Sequence, residues 1–144
     1  MSNSNKDCFE DNYYKILDDN ILNNEFPKVT IFDNLMENNV KNDINNNKTL
    51  KINGKNFKVL YASNFVDRAL GLMFRDINYD EALVFKYIFR KIHVHTCFMK
   101  YPIYIIFLND DKVVDFTYLK PWSTYQSKEY SNMMVEFKDA SLKN

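Results

Sequence analysis

The run IYIIFL at residues 103–108 constrains the fold more than any other part of the chain, because neither side of it is polar. Successive side chains of a strand point to opposite faces, so a strand that is apolar throughout must be covered on both faces. We therefore expect residues 103–108 to form a central strand. Ile105 and Phe107 are predicted to lie in the core.

Shorter runs on both sides of this strand have the two-residue period of β-structure. Because they are short and closely spaced, we expect them to pair in an antiparallel manner. The sequence NDD at residues 109–111 predicts a hairpin turn directly after the central strand. The other predicted strands are residues 57–62, 82–87, 92–99, 112–118 and 133–137.

One helix is predicted among these strands. Ser63 or Asn64 can accept the free amide hydrogens of its first turn, and the helix is expected to end by Phe74 or Arg75. Six strands and one helix predict a mainly β fold, either a small antiparallel sandwich or a partly closed barrel whose open end the helix covers. We assign residues 49–144 to this single β-rich domain.

Residues 1–48 differ in composition from the rest of the chain. They are rich in asparagine, which favours turns, and carry nine acidic and five basic residues, against ten and fourteen in residues 49–144. They are predicted to form an acidic extension that is partly ordered or disordered.

Two patterns favour order within the extension. Apolar residues at helical spacing predict one helix face, and Val29 begins a short strand-like run that ends at Phe32. One interpretation is that residues 9–32 dock on the β-domain, and the other is a solvated acidic tail. The residues of the predicted helix face are Phe9, Tyr13, Ile16, Leu17 and Ile21.

Charge and composition disfavour several classes of function. The 19 basic and 19 acidic residues balance, so the chain as a whole has no bias toward nucleic acid or anionic lipid. No run of eighteen apolar residues predicts a membrane span, and no export signal is seen, so we expect a cytoplasmic protein. With Gly54 and Gly71 as the two glycines, a glycine-rich phosphate loop is excluded.

Two histidines are the strongest candidates for chemistry. On a strand over residues 92–99, His93, His95 and Cys97 would point to one face. Histidines two residues apart could share one metal ion, whereas Cys97 would lie about 13 Å from His93, too far to complete the site. No metal is therefore expected, and Cys97 and Cys8 are predicted to be reduced thiols rather than a disulfide.

Charged and aromatic side chains elsewhere suggest a binding surface. Arg68 and Arg75, seven residues apart on or beside the predicted helix, could together hold an anion or form structural ion pairs. Trp122 follows a proline and has tyrosines nearby, so it could be an aromatic binding platform or part of the rim of the core.

An ordered series of motifs resembles a known family. The motifs are DRALGLMFR at residues 67–75, ALVF at 82–85, HTCFMKYPIYIIFL at 95–108, VVD at 113–115 and LKPW at 119–122. Together they resemble the domain of unknown function number 192, also called uncharacterised protein family 0127. The resemblance implies a compact β-sandwich-like domain and no known activity.

The chain departs from the family pattern at two places. Tyr104 stands where the family usually has an aspartate, which removes the most plausible acidic group of a family site. After Glu136 the chain lacks the glycine and the further strand that the family pattern includes. The missing strand predicts an uncovered edge of the sheet, which the extension is expected to cover.

The sequence favours a small cytoplasmic module that binds a small molecule or a protein, without catalysis. Its groove is expected to involve Arg68, Arg75, His93, His95 and Trp122. The alternatives are a hydrolase or metal-dependent enzyme that uses His93 and His95, and a scaffold protein without a small ligand. No catalytic residue, cofactor, nucleic-acid partner or membrane partner is predicted.

Overall fold

The computed structural model describes residues 3–33, 48–62 and 76–141, and for residues 3–11, 32 and 33 it describes the backbone alone. This part of the chain contains one helix and nine strands. The elements are α1 (Asn3–Leu22), β1 (Val29–Asp33), β2 (Lys48–Ile52), β3 (Lys55–Tyr61), β4 (Glu81–Arg90), β5 (His93–His95), β6 (Ile103–Asn109), β7 (Lys112–Leu119), β8 (Thr124–Gln126) and β9 (Ser131–Lys138).

Seven of the strands form one curled sheet in the order β1-β2-β3-β4-β9-β6-β7, while β5 and β8 form a separate two-stranded ribbon. The curled sheet makes a half-barrel, which confirms the predicted mainly β fold. The expectation of antiparallel pairing throughout is wrong at one place, because β3 and β4 are parallel. Parallel neighbouring strands need a long crossover connection, and residues 62–80 connect β3 to β4.

The central strand behaves as its apolar sequence predicts. In β6, Tyr104, Ile106 and Leu108 join one hydrophobic cluster, whereas Ile105 and Phe107 join a second cluster on the opposite face. All of these side chains are fully buried. The strand pairs with β7 on one side and β9 on the other, which places it inside the sheet.

Helix α1 covers one face of the sheet, which we call the helix face. Tyr13, Tyr14 and Leu17 are buried there, and β1 extends the sheet by pairing with β2. Tyr13, Tyr14 and Leu17 of α1 therefore pack on the sheet, whereas residues 22–26 after them are exposed. Ile16, predicted to face inward, is 54% exposed. At about 100° per residue it lies on the other side of the helix from Tyr14, which takes the inward position.

The β5–β8 ribbon covers the opposite face, which we call the ribbon face. Val94 of β5 is buried in the cluster of this face and Tyr125 of β8 packs against it. Strand β5 is shorter than the strand predicted over residues 92–99, since it ends at His95 and residues 97–98 form a turn. Strands β2 and β8 were not predicted at all.

The prediction of an uncovered sheet edge beside the strand that contains Glu136 is also wrong. Strand β9, which contains Glu136, pairs with β4 on one side and β6 on the other, and the outermost strands of the sheet are β1 and β7. The extension thus continues the sheet beyond β2, not beside β9. The predicted helix that begins at Ser63 or Asn64 lies outside the described residues. No helix in the described part of the chain is long and apolar enough to cross a membrane.

Candidate functional site

The ribbon holds the two histidines on its outer side. In the antiparallel pairing, His93 lies opposite Gln126, Val94 opposite Tyr125, and His95 opposite Thr124. Because Val94 points into the core, its neighbours on either side point outward, and both His93 and His95 are exposed. The prediction that these two histidines share a face is confirmed.

A buried carboxylate fastens the inner side of the ribbon to the sheet. Tyr125 Oη donates a hydrogen bond of 2.7 Å to Asp115 Oδ2, and the backbone amide of Lys128 donates another of 2.8 Å to the same oxygen. The ring of Tyr125 also stacks on that of Phe107. Burial, followed by the hydrogen bond to Asp115, raises the pKa of Tyr125, so its hydroxyl keeps the proton that it donates.

Thr96, immediately after β5, organises the end of the ribbon. It is fully buried, and its Oγ1 donates a 2.6 Å hydrogen bond to the Lys120 carbonyl while accepting one of 2.8 Å from the Ser123 amide. Its backbone amide donates to the Ser123 carbonyl, and its carbonyl accepts from the amides of Trp122 and Met99. Two of the runs that carry the family resemblance, 95–108 and 119–122, are joined by these bonds.

Two aromatic side chains stand out from this end of the ribbon. Phe98 is 51% exposed and Trp122 is 64% exposed, and their ring centroids lie 4.7 Å apart. Both residues have left-handed backbone, with φ of 63° and 61°. This conformation is uncommon for bulky side chains and costs about 1 kcal/mol or more for each. We call this feature the aromatic pair.

The structure brings together some of the predicted site residues and not others. His95 directly precedes Thr96, whose bonds also hold Trp122, so His95 and Trp122 belong to the same end of the ribbon. Cys97 lies in the turn after β5 and is half-buried, as a free thiol, so the predicted alternation ends at His95. Arg68 and Arg75 lie outside the described residues. Within the described residues, no group of three or more His, Cys, Asp and Glu side chains could hold a metal.

The position of the expected family aspartate faces helix α1. Tyr104 is fully buried on the helix face, stacks on Tyr14, and donates a 2.6 Å hydrogen bond from Oη to Asp18 Oδ1. Burial and this bond raise the pKa of Tyr104. The carboxylate beside position 104 therefore comes from Asp18 of α1 and not from residue 104 itself.

Glu136 is a buried carboxyl group that sequence reasoning did not single out as a site. It lies in β9 opposite Leu83 of β4 and Ile105 of β6, so its side chain is on the ribbon face. Desolvation by this apolar environment raises its pKa to about 8. The alternation of β9 gives no sequence signal for it, because Glu136 and Lys138 fall on the face that is predicted to be polar; Glu136 is buried because β9 lies between β4 and β6.

A cavity of about 250 Å³ opens on the helix face, away from the aromatic pair. Six of its nine lining residues are apolar, and Lys48, Lys86 and Asp111 are the charged members. No sequence pattern predicts it, since its walls come from strands far apart in the chain. The apolar lining residues are Ile31, Leu50, Val59, Tyr61, Val84 and Met133.

Comparison with known proteins identifies the family. A family model described as "Uncharacterized ACR", the domain of unknown function number 192, matches residues 48–144. The chain belongs to this family. It is 44% identical over 81 residues to a UPF0127 protein of Pyrococcus furiosus, an alignment that covers 55% of this chain and 70% of that one. A UPF0127 protein of Pyrococcus abyssi is 39% identical over 97 residues, covering 65% and 79%.

Solved structures show the same fold. A crystal structure of a protein of unknown function from Novosphingobium aromaticivorans is similar with a TM-score of 0.52 and 14% identity, over 72% of this chain and 82% of that one. A protein of Sinorhizobium meliloti gives a TM-score of 0.53 at 20% identity, over 58% and 69%. The recognition of the family from its motifs is thus confirmed, and the family brings no assigned activity.

Proposed function

We propose that this protein is a non-catalytic binding module that recognises a partner protein through the aromatic pair at the end of the ribbon. The observation that carries the proposal is that Phe98 and Trp122 are both more than half exposed although they contact each other. Large aromatic side chains dominate the energy of protein interfaces, because they bury much area and lose little conformational entropy.

The backbone under the aromatic pair supports the same function. Left-handed aromatic residues persist only where the surrounding structure holds them, and strain of this kind is concentrated at functional sites. Here the bonds of Thr96 to Trp122, Ser123 and Met99 hold the turn. A pre-formed pair lowers the conformational entropy that is lost on binding.

The surroundings of the pair fit the edge of an interface. His93 and His95 line the outer side of the ribbon beside Thr124 and Gln126, all exposed and polar. Polar groups around a central aromatic contact are the usual anatomy of a protein interface. Arg68 and Arg75 stay predicted members of this surface. The pair stands on the surface and does not line the 250 Å³ cavity, which favours a protein over a small molecule at this place.

Site-specific photo-crosslinking in the native host tests the proposal. Phe98 is replaced by p-benzoylphenylalanine, which keeps an aromatic ring, and Ile16 of α1, exposed to 54%, is the matched control position. We expect a discrete cross-linked product from position 98 that disappears in the Trp122→Ala background. Absence of any product, or the same products from position 16, would contradict a binding surface here.

A further inference from the structure

A second exposed surface lies where β4 ends. Between Lys86 and Arg90 the strand takes four residue steps, while its partner β9 takes two, from Met133 to Ser131. The extra length must bulge out of the sheet. Ile88, in this bulge, is 90% exposed and Phe89 is 53% exposed.

The neighbouring loop extends this apolar tip. Tyr130, 52% exposed, lies just before β9, and its ring centroid is 5.3 Å from that of Phe89. We call Ile88, Phe89 and Tyr130 the apolar tip. Ile88, with nine-tenths of its surface in water, contributes little apolar burial to the monomer, so contact with a partner or an apolar phase would remove this surface from water.

Two cations flank the apolar tip. Of the basic residues in the segment 86–91, KYIFRK, Arg90 and Lys91 lie at the tip, whereas Lys86 Nζ lies over the ring of Tyr61 on the helix face. Arg90 lies over the ring of Tyr87 at 5.0 Å, and Lys91 Nζ lies 5.7 Å from the ring centroid of Tyr130. Exposed Lys128 and Glu129 add no net charge. Arg90 and Lys91 therefore give the tip a local positive charge, although the charge of the whole chain is balanced.

We propose that the apolar tip and its cations dock on the surface of an anionic phospholipid bilayer. Apolar and aromatic side chains enter the headgroup boundary, while flanking Lys and Arg side chains reach anionic headgroups. The pairing of exposed apolar side chains with Arg90 and Lys91 favours this occupant, because an anionic bilayer surface offers both an apolar phase and negative headgroups. The proposal concerns peripheral contact and is independent of the aromatic pair.

Flotation of the full-length protein with vesicles tests this docking. The vesicles are phosphatidylglycerol mixed equally with phosphatidylcholine, with pure phosphatidylcholine as the neutral comparison. We expect binding to the anionic vesicles that falls as salt is added, because surface charges are screened. The Ile88→Ser, Phe89→Ser double variant should bind at least about tenfold more weakly, and Arg90→Gln, Lys91→Gln about tenfold more weakly.

A matched control separates this tip from exposed apolar surface in general. Leu22 and Phe26, exposed to 79% and 50% at the end of α1, have the acidic residues Asp19 and Glu25 nearby in sequence as well as Lys28, so Leu22→Ser, Phe26→Ser should bind as the unaltered protein does. Circular dichroism and the fluorescence of the single tryptophan verify that each variant is folded. Equal binding to neutral vesicles, no binding to anionic ones, or the same loss in the control would overturn the proposal. So would a dimer in sedimentation that the Ile88→Ser, Phe89→Ser variant abolishes, since the occupant would then be a second copy.

Discussion

The helix face and the ribbon face are both closed over a core, but by different parts of the chain. Helix α1 and strand β1 precede residue 48, where the match to the family begins, whereas β5 and β8 lie within it. The helix closes its face with buried tyrosines, while the ribbon both closes its face and holds Phe98 and Trp122 out in water. Helix α1 thus closes its face alone, whereas the ribbon closes its face and also exposes the aromatic pair.

The packing of α1 on the helix face explains the unusual residue at position 104. An aspartate there would lie on the helix face among Tyr14, Phe116 and Phe137, whose rings surround Tyr104. An unpaired charge in such a place is costly. Tyrosine fills the space beneath α1 and directs its hydroxyl to Asp18. We infer that Tyr104 and the docking of α1 are one feature of this chain.

Removal of a core side chain from either face should have the largest effect. We expect Phe107→Ala on the ribbon face to lower the free energy of unfolding by about 3–5 kcal/mol, and Leu17→Ala on the helix face by about 2–5 kcal/mol, because each leaves a cavity. Urea denaturation measures both. Leu22→Ala, in the same helix but exposed, is the control and should change stability by less than about 0.5 kcal/mol. Equal effects of Leu17→Ala and Leu22→Ala would show that α1 does not seal its face.

Glu136 should make the ribbon face sensitive to pH. Its pKa is raised from 4.5 to about 8, so between these values the folded state holds a proton that the unfolded state has lost. The contribution of protonated Glu136 to the free energy of unfolding is fully present below pH 4.5. It is lost as pH rises through 8, at about 1.4 kcal/mol per pH unit. Between pH 5 and 7.5 the loss is about 3 kcal/mol.

The variant Glu136→Gln isolates this contribution, because its side chain is neutral at every pH. Stability measured by denaturation should fall between pH 5 and 7.5 more steeply in the unaltered protein than in the variant, by about 3 kcal/mol over the interval. Asp76→Asn, at an exposed carboxylate, is the control and should leave the slope nearly unchanged. Parallel pH profiles for the unaltered protein and Glu136→Gln would contradict a neutral, buried Glu136.

The bond between Tyr104 and Asp18 should contribute less. Tyr104→Phe keeps the ring stacking and loses the hydroxyl, so we expect a loss of about 1 kcal/mol. In a double-mutant cycle, Asp18→Ala should show coupling to Tyr104→Phe, and the neighbouring exposed Asp19→Ala should show none. Additive effects of the substitutions at 18 and 104 would mean that the hydrogen bond does not hold the helix.

The sequence predicted what depends on alternation and missed what depends on backbone conformation. The apolar run 103–108 correctly placed Ile105 and Phe107 in the core, and the spacing of His93 and His95 correctly placed them on one face. The strand predicted over residues 92–99 extended too far, because CFM looks like strand sequence whereas Phe98 adopts a left-handed φ. Strand β8 has three residues, too few to show a period.

The candidate site was predicted only in part, for related reasons. Trp122 was singled out, yet its contact with Phe98 depends on two left-handed residues and on bonds that converge on Thr96. The docking of α1 was one of two open interpretations, because helical spacing shows which side chains can face inward and not what they contact. The inward position of Tyr14 was missed for the same reason. It depends on the contact of Tyr14 with Tyr104, which helical spacing does not show.

The most direct test of the account is the effect of Trp122→Ala on stability and on cross-linking from position 98, measured in the same protein. A Trp122 that belongs to a binding surface, exposed to 64%, predicts a change in unfolding free energy within about 0.5 kcal/mol together with loss of the cross-linked product. A loss of several kcal/mol, of the size caused by Phe107→Ala, would show that the aromatic pair is a rim of the core. Retention of the cross-linked product with Trp122→Ala would equally contradict its role in binding.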